Sequence, residues 1–227
     1  MDQIDTSRLE LQRPEREPMF NAPWTLVVLC VGLIGLYALQ AALMTDAQLE
    51  GLALTPRALL AGRWQTLLTS LFLHGSWPHV LMNSVAILAF GPPAARLMGG
   101  GPRGAAAFFA FYLVCGVLAG LGFVLCDPGD VQPVVGASGA VSGLFGAAAR
   151  LIQGRGRVGP LVGPTVIGMT TAWVVVNVIF GLLPIEMPGA MGMPIAWQAH
   201  LAGYAAGLLL IGPFARLAGP AEVSITQ

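Results

Sequence analysis

Gly136-Ala137-Ser138-Gly139-Ala140-Val141-Ser142-Gly143 is a run of small residues carrying two hydroxyls in a region with few other polar groups. Small residues let helices approach closely, and a hydroxyl at membrane depth needs a reason. The surrounding chain is 56% hydrophobic and 10% charged, with a mean hydropathy of +0.74. Soluble domains carry about 25% charged residues. This is the composition of a polytopic membrane protein. The formal net charge is zero, so nothing points to a nucleic-acid partner. All 11 basic residues are Arg, a bias that a G+C-rich genome can produce and that carries no function.

The polar stretch from Met1 to about Asn21 precedes the first apolar run, which comes too late for a signal peptide. It reads as a cytosolic tail. A spanning helix needs about 20 apolar residues. Six candidates follow: Trp24–Met44, His79–Leu97 with Gly91-Pro92-Pro93 near its end, Gly104–Leu125, a short one at Val135–Ala149, Leu161–Leu183 and Ile195–Phe214. Pro and Gly clusters separate them. The expected architecture is all-α: a tail over 1–21, a six-helix membrane domain over 22–216 and a short tail over 217–227. With six spans, Arg8, Arg13, Arg16, Arg96, Arg103, Arg150, Arg155, Arg157 and Arg216 share one side, and only Arg57 and Arg63 lie opposite. Both termini are then cytosolic. The loop over 45–78 contains Leu67-Leu68 and Leu71-Phe72-Leu73 and reads as partly embedded structure, whose backbone must be shielded by protein or water. Trp24, Trp64, Trp77 and Trp197 fall near predicted interfaces, as an aromatic belt does.

Cys30, Cys115 and Cys126 show no paired or metal-like spacing and read as small apolar residues. Cys126, at a helix end, is the one to test for reactivity. No cofactor or metal is expected.

Counting about 1.5 Å per residue from the Arg at each cytosolic helix end gives a depth for each buried polar group. Ser138 lies about 18 Å in, Asn83 about 20 Å, His200 about 24 Å and His79 about 26 Å. Singly, each has an ordinary explanation. A membrane His or Asn is often interhelical glue, and a Ser among small residues often bonds its own helix. Jointly they converge on one slab from different helices. Gly139 and Gly143 form a small-residue face on the fourth span, and Ala199, Gly203 and Gly207 form another on the sixth. If these faces meet, Ser138 and His200 come within reach, as a nucleophile and its general base. No acidic residue lies at that depth, so a third triad member has no candidate and a Ser-His dyad is expected. The Ser138 N–H near the start of its helix, with His79 and Asn83 side chains, is the expected oxyanion hole.

These motifs resemble the rhomboid family of intramembrane serine proteases. Gly136-Ala137-Ser138-Gly139 looks like the family's G-x-S-G motif. His79-Val80-Leu81-Met82-Asn83 is similar to its H-x-x-x-N, and Ala199-His200-Leu201-Ala202-Gly203 to its A-H-x-x-G. The resemblance is to the bacterial type with a six-helix core. It implies nucleophile Ser138, base His200 and oxyanion helpers His79 and Asn83. It also implies that His74 orders the first external loop, that the site opens to the outer face, and that the protein sits in the bacterial inner membrane. Transmembrane proteins are the implied substrates, cut as single helices with small residues near the cleavage point. Two positions depart from the family pattern. Trp64-Gln65 stands where many members have Trp-Arg, and Ser142 stands where an aromatic often stacks on the catalytic His, so the His200 ring needs another support. The segment 184–194, with Met187 and Met191, reads as a cap over the site, and the fifth span with Trp173 as a lateral gate. No H-E-x-x-H motif supports a zinc enzyme, and no pair of intramembrane Asp supports an aspartyl protease. The remaining rival is an inactive rhomboid-like protein that binds membrane helices as a chaperone or adaptor.

Overall fold

The computed structural model describes residues 22–183 and 195–219. The expected tail over 1–21, the segment 184–194 with Met187 and Met191, and residues 220–227 lie outside the described residues. Within them the chain is all-α. Helix α1 spans Trp24–Leu43, and α2 (Asp46–Leu52), α3 (Pro56–Leu60) and α4 (Thr66–Thr69) build the first long loop. There follow α5 (Trp77–Phe90), α6 (Pro92–Met98), α7 (Pro102–Cys126), α8 (Ser138–Gln153), α9 (Pro164–Leu182) and α10 (Trp197–Ala218). Four of these, α1, α7, α9 and α10, are long and apolar enough to cross a membrane, and the bent pair α5 and α6 makes a fifth span if counted as one. The protein is multi-pass. Helix α8 has 16 residues, fewer than a straight crossing needs, and most of them are buried.

The second span differs from a single helix over His79–Leu97. Gly91-Pro92-Pro93 lies at a 55° break between α5 and α6, not near the end of one rod. Pro92 has no N–H to continue the ladder, and a Cβ at Gly91 would lie 2.6 Å from Leu26 Cδ2 on α1. A depth counted from Arg96 across this bend therefore overstates how far Asn83 and His79 lie from the surface. The sixth span also runs past Phe214, through Pro213 to Ala218, where Arg103 Nε donates to the Leu217 carbonyl at 2.7 Å.

The long loop is structured. Thr45 and Gln48 form a reciprocal capping box at the start of α2, and Thr55 caps α3 with Pro56 in its first turn. A 3-10 turn over Ser70–Phe72 follows α4, and Leu67, Ser70 and Leu71 are buried. Leu54, in this loop, exchanges both backbone hydrogen bonds with Val134, just before α8.

Helices α7, α8 and α10 form the core. Phe108, Phe111, Tyr112, Leu144 and Ile211 are among its fully buried side chains. Cys30 and Cys115 are buried, whereas Cys126 ends α7 exposed. The two small-residue faces do meet. A Cβ on Gly203 would collide with the Gly139 carbonyl, one on Gly207 with the Gly143 carbonyl, and one on Gly146 with the Tyr204 carbonyl. A Cβ on Gly143 would lie between α7 and α10, 2.5 Å from Cys115 Cβ and 3.3 Å from the Gly203 carbonyl. Backbones this close tolerate no side chain.

Gly207→Ala is therefore expected to lower stability by about 2 kcal/mol or more, as overpacking against rigid backbone does. Gly35→Ala, on α1, meets nothing within 4 Å and is expected to leave stability unchanged. Thermal unfolding of both variants in detergent checks the contrast.

Candidate active site

The loop entering α8 is stitched to the first loop before the helix begins. After the Leu54–Val134 pair, the Gly136 N–H donates to the Ser70 carbonyl at 2.9 Å. Gly136 has φ +117°, a conformation that side-chain-bearing residues rarely adopt. A Cβ there would lie 2.7 Å from His79 Nε2. The turn places the helix start at Ser138, three residues later than the Val135 expected from the apolar pattern. No side chain caps α8. The Ser138 N–H thus belongs to the first turn, whose donors have no intrahelical acceptor.

Helix α5 brings two further donors to the same place. Ser76 caps it by accepting from the His79 N–H at 3.3 Å. The Gly75 N–H donates to His79 Nδ1 at 3.4 Å, which leaves the ring proton of the neutral imidazole on Nε2. Asn83 lies one turn on, is 6% exposed, and its buried Nδ2 has no partner. Both groups face Gly136: a Cβ there would be 3.7 Å from Asn83 Nδ2. His74 is buried beside His79, with ring centroids 5.1 Å apart. Burial, and secondarily His79, hold its imidazole down at about 3. Gln40 of α1 clamps its backbone from both sides, donating to the His74 carbonyl at 2.6 Å and accepting from its N–H at 3.1 Å.

Helix α10 supplies His200. Its Nε2 lies 2.9 Å from Ser138 Oγ, and its Nδ1 lies 2.8 Å from Asn177 Oδ1 on α9. Asn177 in turn donates Nδ2 to the Trp173 carbonyl at 2.9 Å. The Ser138–His200 pair is thus as close as the sequence pattern anticipates, but it has a third partner. The sequence holds no acid at this depth, and a neutral amide stands at Nδ1 instead. Asn177 was legible only as a lone amide in Val174-Val175-Val176-Asn177-Val178-Ile179. Ser142 makes no hydrogen bond to His200. Its hydroxyl donates to the Ser138 carbonyl at 2.7 Å, a bond within its own helix. Trp173 faces inward, its ring 4.8 Å from Phe145 and 6.3 Å from His200 between centroids, so the aromatic near the histidine comes from α9 and not from position 142.

These groups line one cavity of about 330 Å³, with Met82, Phe90, Val176 and Phe180 among its apolar walls. Ser138, His200, His79, Asn83, Asn177 and Trp173 all reach it. Among the described residues no group of three or more His, Cys, Asp and Glu side chains could hold a metal. The arrangement offers a hydroxyl with a base at hydrogen-bond distance and three N–H donors around a neighbouring space. That set is suited to acyl transfer.

Residues 61–216 match the family model described as the Rhomboid domain. The chain is 30% identical over 150 residues to "Putative rhomboid protease YdcA" of Bacillus subtilis (strain 168), a match covering 66% of each protein. It is 37% identical over 90 residues to "RHOMBOID-like protein 9, chloroplastic" of Arabidopsis thaliana, covering 39% of this chain and 19% of that one. It is 33% identical over 86 residues to "Rhomboid protease GluP" of Bacillus subtilis, covering 38% and 15%. The matches span less than two thirds of the length of each of these relatives.

Gly136→Ala is expected to destabilise the protein by more than about 1 kcal/mol, because the added methyl meets both a positive φ and the His79 ring. Unfolding in detergent, compared with Gly32→Ala in open space on α1, measures it.

Proposed function

The chain belongs to the rhomboid family, and from that premise we propose that it is a serine endopeptidase that cuts single transmembrane helices within or near the bilayer. The observation that carries this reading is the 2.9 Å approach of His200 Nε2 to Ser138 Oγ beside the unpaired Asn83 Nδ2. A hydrogen-bonded nucleophile and base next to an unused donor is what an acyl-transfer site requires.

In this mechanism Ser138 Oγ attacks the scissile carbonyl carbon while His200 Nε2 takes the hydroxyl proton. The negative charge that develops on the carbonyl oxygen is held by the Ser138 N–H, Asn83 Nδ2 and His79 Nε2–H. The C–N bond then breaks, and His200 returns its proton to the leaving amine. A water molecule, deprotonated by His200, then attacks the acyl carbon; the ester C–O bond breaks and His200 returns the proton to Ser138 Oγ. The slow uncatalysed step is split into two, each stabilised by the same donors.

The partners are transmembrane proteins and the lipid bilayer. The six-span count, with α5 and α6 as one span and α8 as a short one, goes with a membrane domain over 22–216 and cytosolic tails on either side. It also goes with a bacterial inner-membrane location and a site reached from the outer face. Trp173 on α9 stands beside the cavity, where a substrate helix arriving from lipid would meet it.

Ser138→Ala and His200→Ala are each expected to remove detectable cleavage of a model transmembrane substrate in liposomes while leaving the unfolding temperature near wild type. Full cleavage by either variant would refute the mechanism. A fluorophosphonate probe should label Ser138 in the wild type and not in His200→Ala, and no labelling of the wild type would favour a non-enzymatic helix-binding role.

Asn83→Ala should slow cleavage on the order of a hundredfold, as removal of one oxyanion donor does. An unchanged rate removes Asn83 from that role.

A further inference from the structure

An amide in an apolar helix is costly unless its donors and acceptor are matched. Asn177 is one of only two buried residues on α9, the other being Val166. Its two polar ends are used differently. The NH₂ group donates to the Trp173 carbonyl one turn back, within α9. That bond fixes the amide orientation, because only the nitrogen can donate to a carbonyl. The oxygen is therefore the atom 2.8 Å from His200 Nδ1. An amide oxygen only accepts, so Nδ1 must carry the ring proton. Neutral imidazole then has its lone pair on Nε2, the atom facing the Ser138 hydroxyl.

We propose that Asn177 is a positioning residue that holds His200 in the Nδ1–H tautomer, so that the base is competent only while α9 is docked against α10. The inference deepens the protease reading and rests on it. The usual third member of a serine triad is a carboxylate that orients the histidine, and a Cys-His-Asn arrangement does the same with an amide. In a membrane the amide avoids burying a charge. Ser142, on α8, offers His200 no hydrogen bond, its hydroxyl donating within its own helix. Asn177 and Trp173, which both border the His200 ring, come from α9. Helix α9 is otherwise lightly anchored: 11% of its spanning window is buried, against 50% for α7. Its other polar tie to α10 is the 2.8 Å Thr170–Tyr204 hydroxyl pair. The orientation of the base and the position of α9 are thereby one property.

The chain has only 3 histidines, so imidazole nitrogen spectra of the ¹⁵N-histidine-labelled protein in detergent are readable, and the signals lost in His200→Ala identify that ring. The wild type should show His200 with a protonated Nδ1 and an unprotonated Nε2. Asn177→Leu should shift this pattern towards a tautomer mixture. It should also slow fluorophosphonate labelling of Ser138 on the order of tenfold, the scale of one lost net hydrogen bond. The probe needs no helix docking, so a substrate-binding defect would not move this rate. Asn177→Asp keeps an acceptor at Nδ1 and should recover most of both readouts, which a merely structural role for the side chain would not predict. An unchanged nitrogen pattern or an unchanged labelling rate in Asn177→Leu overturns the inference. Absence of labelling in the wild type instead overturns the protease reading, and the nitrogen spectra would still test the Asn177 assignment.

Discussion

Backbone contact between α8 and α10 is the constraint on which the site depends. The carbonyl oxygens of Gly139 and Gly143 occupy the space that side chains on Gly203 and Gly207 would need. In lipid there is no hydrophobic gain from pairing apolar helices, so association comes from close contact and interhelical polar bonds. Contact this close also fixes register, since sliding one helix by a residue would bring a larger side chain against backbone. Ser138 and His200 each lie one residue from a contact position, at Gly139 and Ala199. Their 2.9 Å approach is thus set by the glycines and not by the attraction of a hydroxyl for an imidazole.

The same economy explains why donors remain unspent. Unsatisfied polar groups in an apolar interior are costly, and a relaxed fold would pair them. Here Asn83 Nδ2 has no acceptor, His79 presents Nε2 to Gly136, and α8 begins without a capping side chain. Each is held open by something else. His79 is fixed through Nδ1 by the Gly75 N–H, and α5 by its Ser76 cap. The turn before α8 is fixed by the Leu54–Val134 pair and the Ser70 carbonyl. The structured loop over 45–78 is a scaffold in this sense, because its backbone groups tie down the approach to Ser138. Three donors facing one space can then remain unpaired without the structure collapsing to satisfy them.

What was legible in the sequence follows from this physics. Small residues at four-residue spacing on two helices predict a close crossing, and they predicted this one. Hydroxyl, amide and imidazole groups in apolar runs predict a shared polar site, and Ser138, His200, His79 and Asn83 all reach the same cavity. Helix starts were less legible, because Val135, Gly136 and Ala137 are as apolar as the helix they precede. Only the positive φ of Gly136 and its bond to Ser70 delay α8 to Ser138. The bend at Gly91-Pro92-Pro93 was half legible: the run marks a break, but not that it falls between two helical halves at 55°, with Leu26 of α1 packed where a Gly91 side chain would go. Asn177 was missed for a related reason. Its partner depends on the rotation of α9, and a helix with so few buried residues has almost no periodic signal from which to read its rotation. A third triad member is ordinarily a carboxylate, whereas in an apolar span an amide avoids burying a charge.

Helix α9 therefore faces two demands that pull against each other. On the proposed protease reading, a substrate helix arriving from lipid needs room beside the cavity, and α9, with Trp173 against Phe145, borders it and is the least buried of the four long apolar helices. Yet α9 also carries Asn177, the acceptor proposed to hold the proton on His200 Nδ1, 2.8 Å away. Were α9 to swing aside fully, the site would open and the base would lose its orientation together. Productive cleavage then requires either that α9 return before the attack, or that it yield at its Pro164 end while the turn containing Trp173 and Asn177 stays docked. The second would keep in place the turn whose Asn177 and Trp173 border His200 and Tyr204 of α10. On the proposed protease reading, a site with this coupling would hydrolyse little while open, since the base is oriented only while α9 is docked.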